Sequence, residues 1–283
     1  MAVQIVAVLG TGVVGAHDPV VTADDLGLTR GDGIFDATRV VTDSQGRSVV
    51  EHLDRHLLRL TRSAAAVELP APDVNGIFAL VAEALARWTT PGEAALKIVH
   101  TRGLEHTDTP AATTLLTITE TEPGRRRPLA IATLARGYAS DTFADAPWLL
   151  GGAKLLSYAV HTSARREAAR RGADDALFVS SDGYALEAPT SSLLWVVDGA
   201  VRTTPTGATG ILSSVTVEVL KEWALDEGVR FQPALIRPHE LHRVTGAWLA
   251  SSVRGVCPIV TLDGAALPTS EVWTDRLASA AGF

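Results

Sequence analysis

The stretch from Gly151 to Ser192 constrains the fold more than any other part of the sequence. It reads GGAKLLSYAVHTSARREAARRGADDALFVSSDGYALEAPTSS. Lys154 follows a Gly-Gly pair and opens a helical pattern, and DALFVS then alternates as a strand. A Ser-Asp-Gly turn leads into a second strand, which carries Glu187. The pattern therefore predicts a helix followed by two strands, with Lys154 at the start of the helix and Glu187 on the second strand.

The order of elements along the chain predicts the α+β class. Strand patterns come first, then two helical patterns, HLDRHLLRLTRSAAAVEL and VNGIFALVAEALARW, and then further strands such as AALKIVHTRG and TTLLTITET. Regular strand–helix–strand alternation, which would indicate a parallel sheet, is not seen. The segment TEPGRRRP has the composition of a linker. We therefore expect a domain at 1–120, a linker at 121–128 and a second domain at 129–283.

The motif GTGVVG, with Gly10, Gly12 and Gly15, matches the spacing of a dinucleotide-binding fingerprint. That fingerprint requires a helix that begins on its last glycines. Pro19 follows four residues after Gly15, and a helix interior does not accept proline cheaply. The context therefore favours a β-hairpin with a glycine turn over a nucleotide-binding loop.

Bulk composition excludes several classes of protein. The 283 residues carry a formal net charge of −7, which argues against a general binder of nucleic acid or of an anionic membrane. The single cysteine, Cys257, permits neither an internal disulfide nor a cysteine-based metal site. The apolar start MAVQIVAVLG lacks a basic lead, and no apolar run has the length of a membrane span. We expect a soluble, cytoplasmic protein that acts on a small molecule and uses no metal.

Lys154 and Glu187 each allow two interpretations. A lysine among Ala, Leu and Gly loses its charge more readily, as imine formation with an aldehyde requires, but it could equally be an ordinary lysine with its head group in water. A carboxylate can keep a pyridine nitrogen protonated, so that the ring absorbs carbanion electrons, yet a strand glutamate can also simply face solvent. Together they fit a pyridoxal-phosphate enzyme.

Two segments could hold a phosphate. In GILSSVT a glycine-bearing loop enters a helix, which directs the first backbone N–H groups outward. Ser251-Ser252 ends a strand ahead of a Val-Arg-Gly turn that offers a hydroxyl and amides. Arg55 shares a helix face with Arg59 and could add the counter-charge. The alternatives are a helix cap, a polar turn and surface arginines.

These motifs, taken together and in their order along the chain, resemble those of the fold-type IV pyridoxal-phosphate enzymes. This class includes aminodeoxychorismate lyases, D-amino-acid transaminases and branched-chain transaminases. The resemblance runs from RGDGIFDATRV through HLDRHLLRL, GAKLLSY, ALEAPTSSLLWV and TGILSSVT to ASSVRGVCPI. It implies a two-domain α+β fold of the D-amino-acid aminotransferase type, with a smaller N-terminal α+β domain and a larger, β-barrel-like C-terminal domain with helices. It also implies a homodimer and the cofactor pyridoxal 5'-phosphate.

The resemblance assigns a role to each matching residue. Lys154 would form the imine with the cofactor and act as catalytic base, Glu187 would meet the pyridine nitrogen, and Leu212 would pack on the ring. Tyr158 would lie near the cofactor hydroxyl. The residues implied for the phosphate are Arg55, Val215, Thr216 and Ser252, and those implied for the substrate are Arg39, Arg102 and Val253.

Departures from the family pattern bear on the substrate. Ser157 stands where asparagine is common, Ser191-Ser192 replaces a Ser-Asn pair, and Ser214 and Val217 replace the glycine and arginine of Gly-Ile-Thr-Arg. Thr107 and Thr109 occupy the places at which D-amino-acid transaminases carry a carboxylate-trapping Arg and His.

Because GDGIFDATRV and the strand ending in HTRG look most like aminodeoxychorismate lyases, we expect conversion of 4-amino-4-deoxychorismate to 4-aminobenzoate and pyruvate. The alternatives are a class IV transaminase of amino acids or amines with a keto acid acceptor, a nucleotide-binding protein based on GTGVVG, and a non-catalytic binding module.

Overall fold

The structure, a computed structural model, describes residues 4–106, 111–121 and 126–283. Thr107, Thr109 and the middle of the expected linker lie outside the described residues. The chain divides into two compact units: the first takes the described residues up to 121 together with Ala153–Ser157, and the second takes those from 126 to 152 and Tyr158–Phe283. The continuous boundaries expected from the sequence stay a prediction. The observed division adds that the segment carrying Lys154 belongs with the first unit.

The first unit is a six-stranded sheet with helices on one face. Its elements are β1 (Gln4–Val8), β2 (Gly12–Val14), α1 (Leu26–Thr29), β3 (Gly33–Thr42), β4 (Ser48–Val50), α2 (Leu53–Ala66), α3 (Val74–Arg87), β5 (Gly92–Thr101) and β6 (Thr113–Glu120). The strand order is β2-β1-β6-β5-β3-β4, and every pairing is antiparallel.

The core of this unit consists of apolar residues that alternate along the strands and recur at helical spacing in α2. Ile34 on β3 and Leu96 on β5 are fully buried, as are Leu57 and Leu60 on α2. Burial of apolar surface on these facing elements supplies the main driving force for the unit. The hairpin predicted for GTGVVG is confirmed, because Val8 pairs with Gly12 in the antiparallel β1–β2 ladder.

The second unit is built on a nine-stranded sheet. Its elements are β7 (Leu129–Ala135), short 3-10 turns at Thr142–Ala144 and Pro147–Leu149, α4 (Ala159–Arg170), β8 (Asp175–Val179), β9 (Glu187–Ala188), β10 (Ser191–Val197), β11 (Ala200–Thr203), α5 (Val215–Asp226), β12 (Phe231–Pro233), a 3-10 helix at Pro238–Arg243, β13 (Gly246–Ser251), β14 (Gly255–Leu262), β15 (Ala265–Ala266) and α6 (Glu271–Ala280).

The nine-stranded sheet curls back towards its own start. The main path is β12-β11-β10-β13-β14-β7-β8, with β9 beside β10 and β15 beside β14. At the β8 end, Leu186 N donates to Phe178 O over 2.8 Å, and Val179 bridges to Ala185. The chain then enters β9, which pairs with β10. This return accounts for the barrel-like character expected of the second domain, and the α+β class is confirmed.

One element differs from the sequence prediction. Lys154 does not open a helix, because α4 begins only at Ala159. The lysine lies instead in an extended segment, and its neighbour Leu155 bridges to Ile34 on β3. Backbone pairing with a strand far back in the sequence therefore overrides the local helical pattern. Among the described residues, no helix combines the length and the apolar character that crossing a membrane would need.

Candidate active site

Lys154 is held to the first unit through both of its peptide groups. Its carbonyl oxygen accepts from Phe35 N over 2.9 Å, and its N–H donates to Ser63 Oγ over 3.1 Å. The Nζ atom lies 4.5 Å from the centroid of the Phe35 ring. An aromatic face attracts an ammonium group, and the half-buried setting reduces its contact with water. The hydrogen bonds therefore fix the backbone of Lys154, and its amine lies against an aromatic surface.

Two glycines allow the Lys154 segment to approach β3 so closely. Leu156 N donates to Gly33 O over 2.9 Å, and a Cβ atom on Gly33 would lie 2.6 Å from Leu156 Cδ1. Gly31 has a φ of +68°, and a Cβ there would lie 2.8 Å from Ser157 Oγ. A Cβ on Gly33 would also lie 2.9 Å from the backbone oxygen of His100, and the positive φ of Gly31 is strained for any other residue. The Gly-Asp-Gly turn therefore admits the lysine-bearing segment.

A buried charge cluster lies on the opposite face of β3 from Phe35. The Asp36 carboxylate accepts from Arg59 Nε over 2.8 Å and from Arg59 Nη2 over 2.7 Å, and His56 Nδ1 lies 2.7 Å from Asp36 Oδ1. Burial by itself would raise the pKa of Asp36, but the hydrogen bonds from Arg59 and His56 outweigh it and lower that pKa to about 2. Burial lowers the pKa of His56, which the Asp36 carboxylate partly offsets. Asp36 thus pairs with the Nε and Nη2 atoms of Arg59.

This cluster includes an arginine that sequence reasoning did not assign to the site. Arg55, the arginine that the resemblance implies for the phosphate, is half-buried, whereas Arg59, one helical turn later, is buried. Arg59 shares its helix face with Ser63, the residue that receives the Lys154 N–H. The signal that could have identified it is the acidic residue among apolar neighbours in IFDATRVV. A buried aspartate needs a cationic partner.

The arginines implied for substrate binding are both paired with carboxylates of the chain itself. Arg39 is buried, and its Nη1 lies 2.9 Å from Glu93 Oε1. Arg102 Nε and Nη2 donate to Asp32 over 2.6 and 3.2 Å, and its remaining donors reach the carbonyls of residues 67 and 68. The hydrogen bond from Arg102 to Asp32, together with the negative charges of Asp32 and Glu68, raises the pKa of Arg102 although burial opposes this. A substrate carboxylate would have to displace these partners.

Lys97 differs from Arg39 and Arg102, and it lies on the face of the first sheet that carries the Phe35 ring. Its Nζ lies 5.8 Å from the ring centroid of Phe35, the ring that also faces Lys154. Its side chain is exposed, and within the described residues it makes no ion pair. An accessible cation beside the ring that Lys154 Nζ also faces is able to receive an anion.

In the second unit, Glu187 is oriented by the backbone of the glycine loop. Glu187 stands on β9 opposite Ser192 of β10, and its Oε2 accepts from Leu212 N over 3.3 Å. This bond brings together two residues that the family resemblance assigns to the cofactor ring. The Tyr158 hydroxyl donates to Pro189 O over 2.6 Å, which fixes it beside the turn that follows Glu187.

The two segments expected to hold a phosphate also meet within the second unit. Helix α5 begins at Val215, and the Ser214 hydroxyl caps it by accepting from Val217 N over 3.3 Å. Thr216 Oγ1 lies 3.1 Å from Ser252 Oγ, in the turn between β13 and β14. Two hydroxyls thus lie beside first-turn amides that have no partner within their own helix. Val253, implied for the substrate, is the next residue of that turn and is half-buried.

The donor set fits a phosphorylated pyridine aldehyde. Hydroxyls and amides at the start of a helix suit a phosphate, a carboxylate suits a ring nitrogen, and a lysine amine suits an aldehyde. A further observation points the same way. The Ser191 hydroxyl, on the first residue of β10, is buried and has no hydrogen-bond partner within the described residues. A buried hydroxyl without a partner is costly, and a polar ligand would satisfy it.

Comparison with solved structures defines the class of this fold and site. A fold IV transaminase, CpuTA1, from Curtobacterium pusillum superposes with a TM-score of 0.88 at 36% identity, over 98% of this chain and 97% of its own. A hypothetical aminotransferase from Mycobacterium tuberculosis, solved in a PLP-bound form, gives a TM-score of 0.90 at 34% identity, over 98% and 97% of the two chains. The fold is that of the fold-type IV aminotransferases.

Sequence comparison identifies the family. The model for class IV amino-transferases matches residues 33–262, so the chain belongs to that family. A bifunctional aminodeoxychorismate lyase / D-amino acid transaminase from Mycobacterium tuberculosis is 37% identical over 264 residues, which is 90% of each chain. Class IV aminotransferases use pyridoxal 5'-phosphate, and the protein is therefore a pyridoxal-phosphate enzyme, either a lyase or a transferase.

The charge cluster generates a prediction about stability and pH. Because the pKa of Asp36 is lowered from 3.8 to about 2 in the folded chain, its ionised form stabilises the fold above pH ~4, and this contribution is lost as the pH falls through the folded-state value. Asp36→Asn removes the ionisation. The difference in free energy of unfolding between wild type and variant should therefore shrink below pH ~5, by about 2 kcal/mol once the folded-state pKa is passed.

Urea titrations of both proteins at several pH values and constant ionic strength would measure this difference. A difference that stays constant as the pH is lowered would contradict the ion pair.

Proposed function

We propose that this protein is an aminodeoxychorismate lyase, which converts 4-amino-4-deoxychorismate to 4-aminobenzoate and pyruvate. The observation that favours the lyase is the 37% identical relative, whose name includes this activity. The anchoring of Lys154 supports the catalytic base, which the lyase shares with the transaminase: its two peptide groups are bonded to Phe35 and Ser63 while its amine lies against an aromatic ring.

The proposed chemistry depends on what each residue does with protons and charge. Bound pyridoxal phosphate supplies an electron-withdrawing ring that stabilises negative charge on the carbon bearing the substrate amine. Lys154, as a neutral amine, removes the proton from that carbon. Glu187, oriented by Leu212 N, keeps the ring nitrogen protonated. Loss of the enolpyruvyl group then leaves an aromatic product.

Transamination is the second candidate function. The relative from Mycobacterium tuberculosis is named as a D-amino acid transaminase as well as a lyase, and the structure from Curtobacterium pusillum is that of a transaminase. In this reaction Lys154 would remove the same proton and return it to the cofactor carbon. The two reactions therefore share the base and differ in what leaves the substrate.

We further propose that the phosphate lies at the Thr216 and Ser252 hydroxyls and the Val215 amide, with Arg55 or the buried Arg59 as counter-charge. Leu212 would pack on the ring and Tyr158 would face its hydroxyl.

For the substrate carboxylates we propose Lys97 ahead of Arg39 and Arg102, because the arginines are already bound to Glu93 and Asp32. A homodimer and a cytoplasmic location remain part of the proposal.

The role of Lys154 gives the first prediction. Purified protein should be yellow, and borohydride treatment followed by peptide mapping should locate the cofactor on Lys154. Lys154→Ala should lower turnover at least ~100-fold, because it removes both the attachment and the base. Lys221→Ala, on an exposed face of α5, is the matched control and should keep wild-type activity. Attachment at another lysine, or full activity of Lys154→Ala, would contradict the assignment.

The choice between lyase and transaminase gives the second prediction. With 4-amino-4-deoxychorismate alone, the enzyme should release 4-aminobenzoate and pyruvate in equal amounts and without any keto acid. A parallel assay offers D- and L-amino acids with 2-oxoglutarate and follows the new amino acid by chromatography. Turnover that depends on the keto acid, with no aminobenzoate formed in the first assay, would overturn the lyase and establish the transaminase.

The role of Lys97 gives the third prediction. Lys97→Met should raise KM for a carboxylate-bearing substrate about 10- to 100-fold, with a smaller effect on kcat, because a charge-assisted hydrogen bond is lost. Lys97→Arg should restore most of the affinity. The control is an amine substrate without a carboxylate, for which KM should not change. An equal effect on both substrates would assign Lys97 to general packing instead.

A further inference from the structure

The turn between β13 and β14 carries Ser252, one of the two hydroxyls proposed for the phosphate. Ser251 pairs with Gly255 across the hairpin, which leaves three residues in the turn. Arg254 N donates to Ser251 Oγ over 3.3 Å, and Gly255 has a φ of +87°. These local features shape the turn. They do not by themselves fix where the turn lies relative to helix α5.

A buried ion pair connects this turn to another strand. Asp175, the first residue of β8, is fully buried, and its Oδ2 accepts from Arg254 Nη2 over 2.8 Å. Its Oδ1 accepts from Ala176 N over 2.9 Å, so both carboxylate oxygens are engaged. The Arg254 side chain is 19% exposed. Strands β8 and β14 lie on either side of β7, so the pair reaches across one strand of the sheet.

Such a buried ion pair can fix the position of the turn, although it adds little to the free energy of unfolding. Taking two charges out of water offsets most of their attraction, whereas removing one partner leaves the other buried and uncompensated. The pair therefore permits only turn geometries in which Arg254 meets Asp175. In the observed geometry Ser252 Oγ lies 3.1 Å from Thr216 Oγ1, and a displacement of about 1 Å would break that hydrogen bond.

We propose that Asp175 is a positioning residue that acts through Arg254. It holds the Ser252 hydroxyl at the start of α5 and thereby sets the affinity of the enzyme for the cofactor phosphate. The inference rests on the proposed function in one respect only, namely that Thr216 and Ser252 receive that phosphate. Asp175 itself contacts neither cofactor nor substrate in this assignment.

The test is the dissociation constant of pyridoxal 5'-phosphate, measured by absorbance as the full-length apoprotein is titrated with cofactor. Asp175→Asn and Arg254→Met should each weaken binding about 10- to 100-fold. The double variant should be no weaker than the worse single variant, because both changes remove the same interaction. Arg254→Lys keeps the charge and should recover part of the affinity.

The matched control is Leu177→Ala, which removes a buried side chain two residues along the same strand. It should lower the melting temperature without changing cofactor affinity. If Leu177→Ala weakens cofactor binding as much as Asp175→Asn does, the pair has a merely structural role and the proposal fails. If Asp175→Asn instead tightens binding, Arg254 is itself a phosphate ligand that Asp175 restrains, and the proposal fails as well.

Thr216→Val and Ser252→Ala separate this inference from the proposed function. If neither changes the dissociation constant, the phosphate assignment is wrong, and the positioning role falls with it. If both weaken binding and Asp175→Asn does not, the phosphate assignment stands and only the role of Asp175 is refuted.

Discussion

The docking of Ala153–Ser157 against β3 is the interaction on which the proposed chemistry depends. A lysine that is to exchange protons with a bound substrate needs a fixed backbone and a mobile side chain. Hydrogen bonds between the Lys154 peptide groups and Phe35 and Ser63 meet the first requirement without a helix around the residue. The glycine at the start of β3 permits close packing, since a Cβ on Gly33 would lie 2.9 Å from the backbone oxygen of His100 and 2.6 Å from Leu156 Cδ1.

Three carboxylates of this protein form ion pairs with buried or partly buried arginines. Asp36 with Arg59, Arg39 with Glu93 and Asp175 with Arg254 each place a carboxylate and a guanidinium together where water is largely excluded. Pairs of this kind add little net stability, yet they penalise every arrangement that separates them. In both units they lie close in sequence or space to residues with a proposed role. This distribution is expected if their contribution is geometric precision around a reactive site.

The distinction between lyase and transaminase depends on groups other than the shared base. Both reactions begin when an amine removes a proton from the carbon that bears the substrate nitrogen. The later steps depend on how the substrate is held and on which bond is aligned to break. Within the first unit, Arg39 and Arg102 are bound to internal carboxylates whereas Lys97 is accessible, and it is on this contrast that the proposed substrate contact rests.

The amino-acid sequence alone was sufficient to infer the α+β class and most strand and helix positions, because apolar periodicity and glycine turns act locally. The family was inferred from the resemblance of several motifs in their order along the chain. The sequence also indicated that Lys154, Glu187 and the segment entering α5 belong to one kind of chemistry. The three-dimensional structure was needed to show that Lys154 lies on an extended segment of the first unit, and that Arg59 is the buried arginine of its helix face. It was likewise needed to show that Arg39 and Arg102 already have partners. The physical reason is that pairing partners lie far apart in the chain: Asp36 and Arg59 are separated by 23 residues and Asp32 and Arg102 by 70. No local pattern encodes which charges meet across such distances.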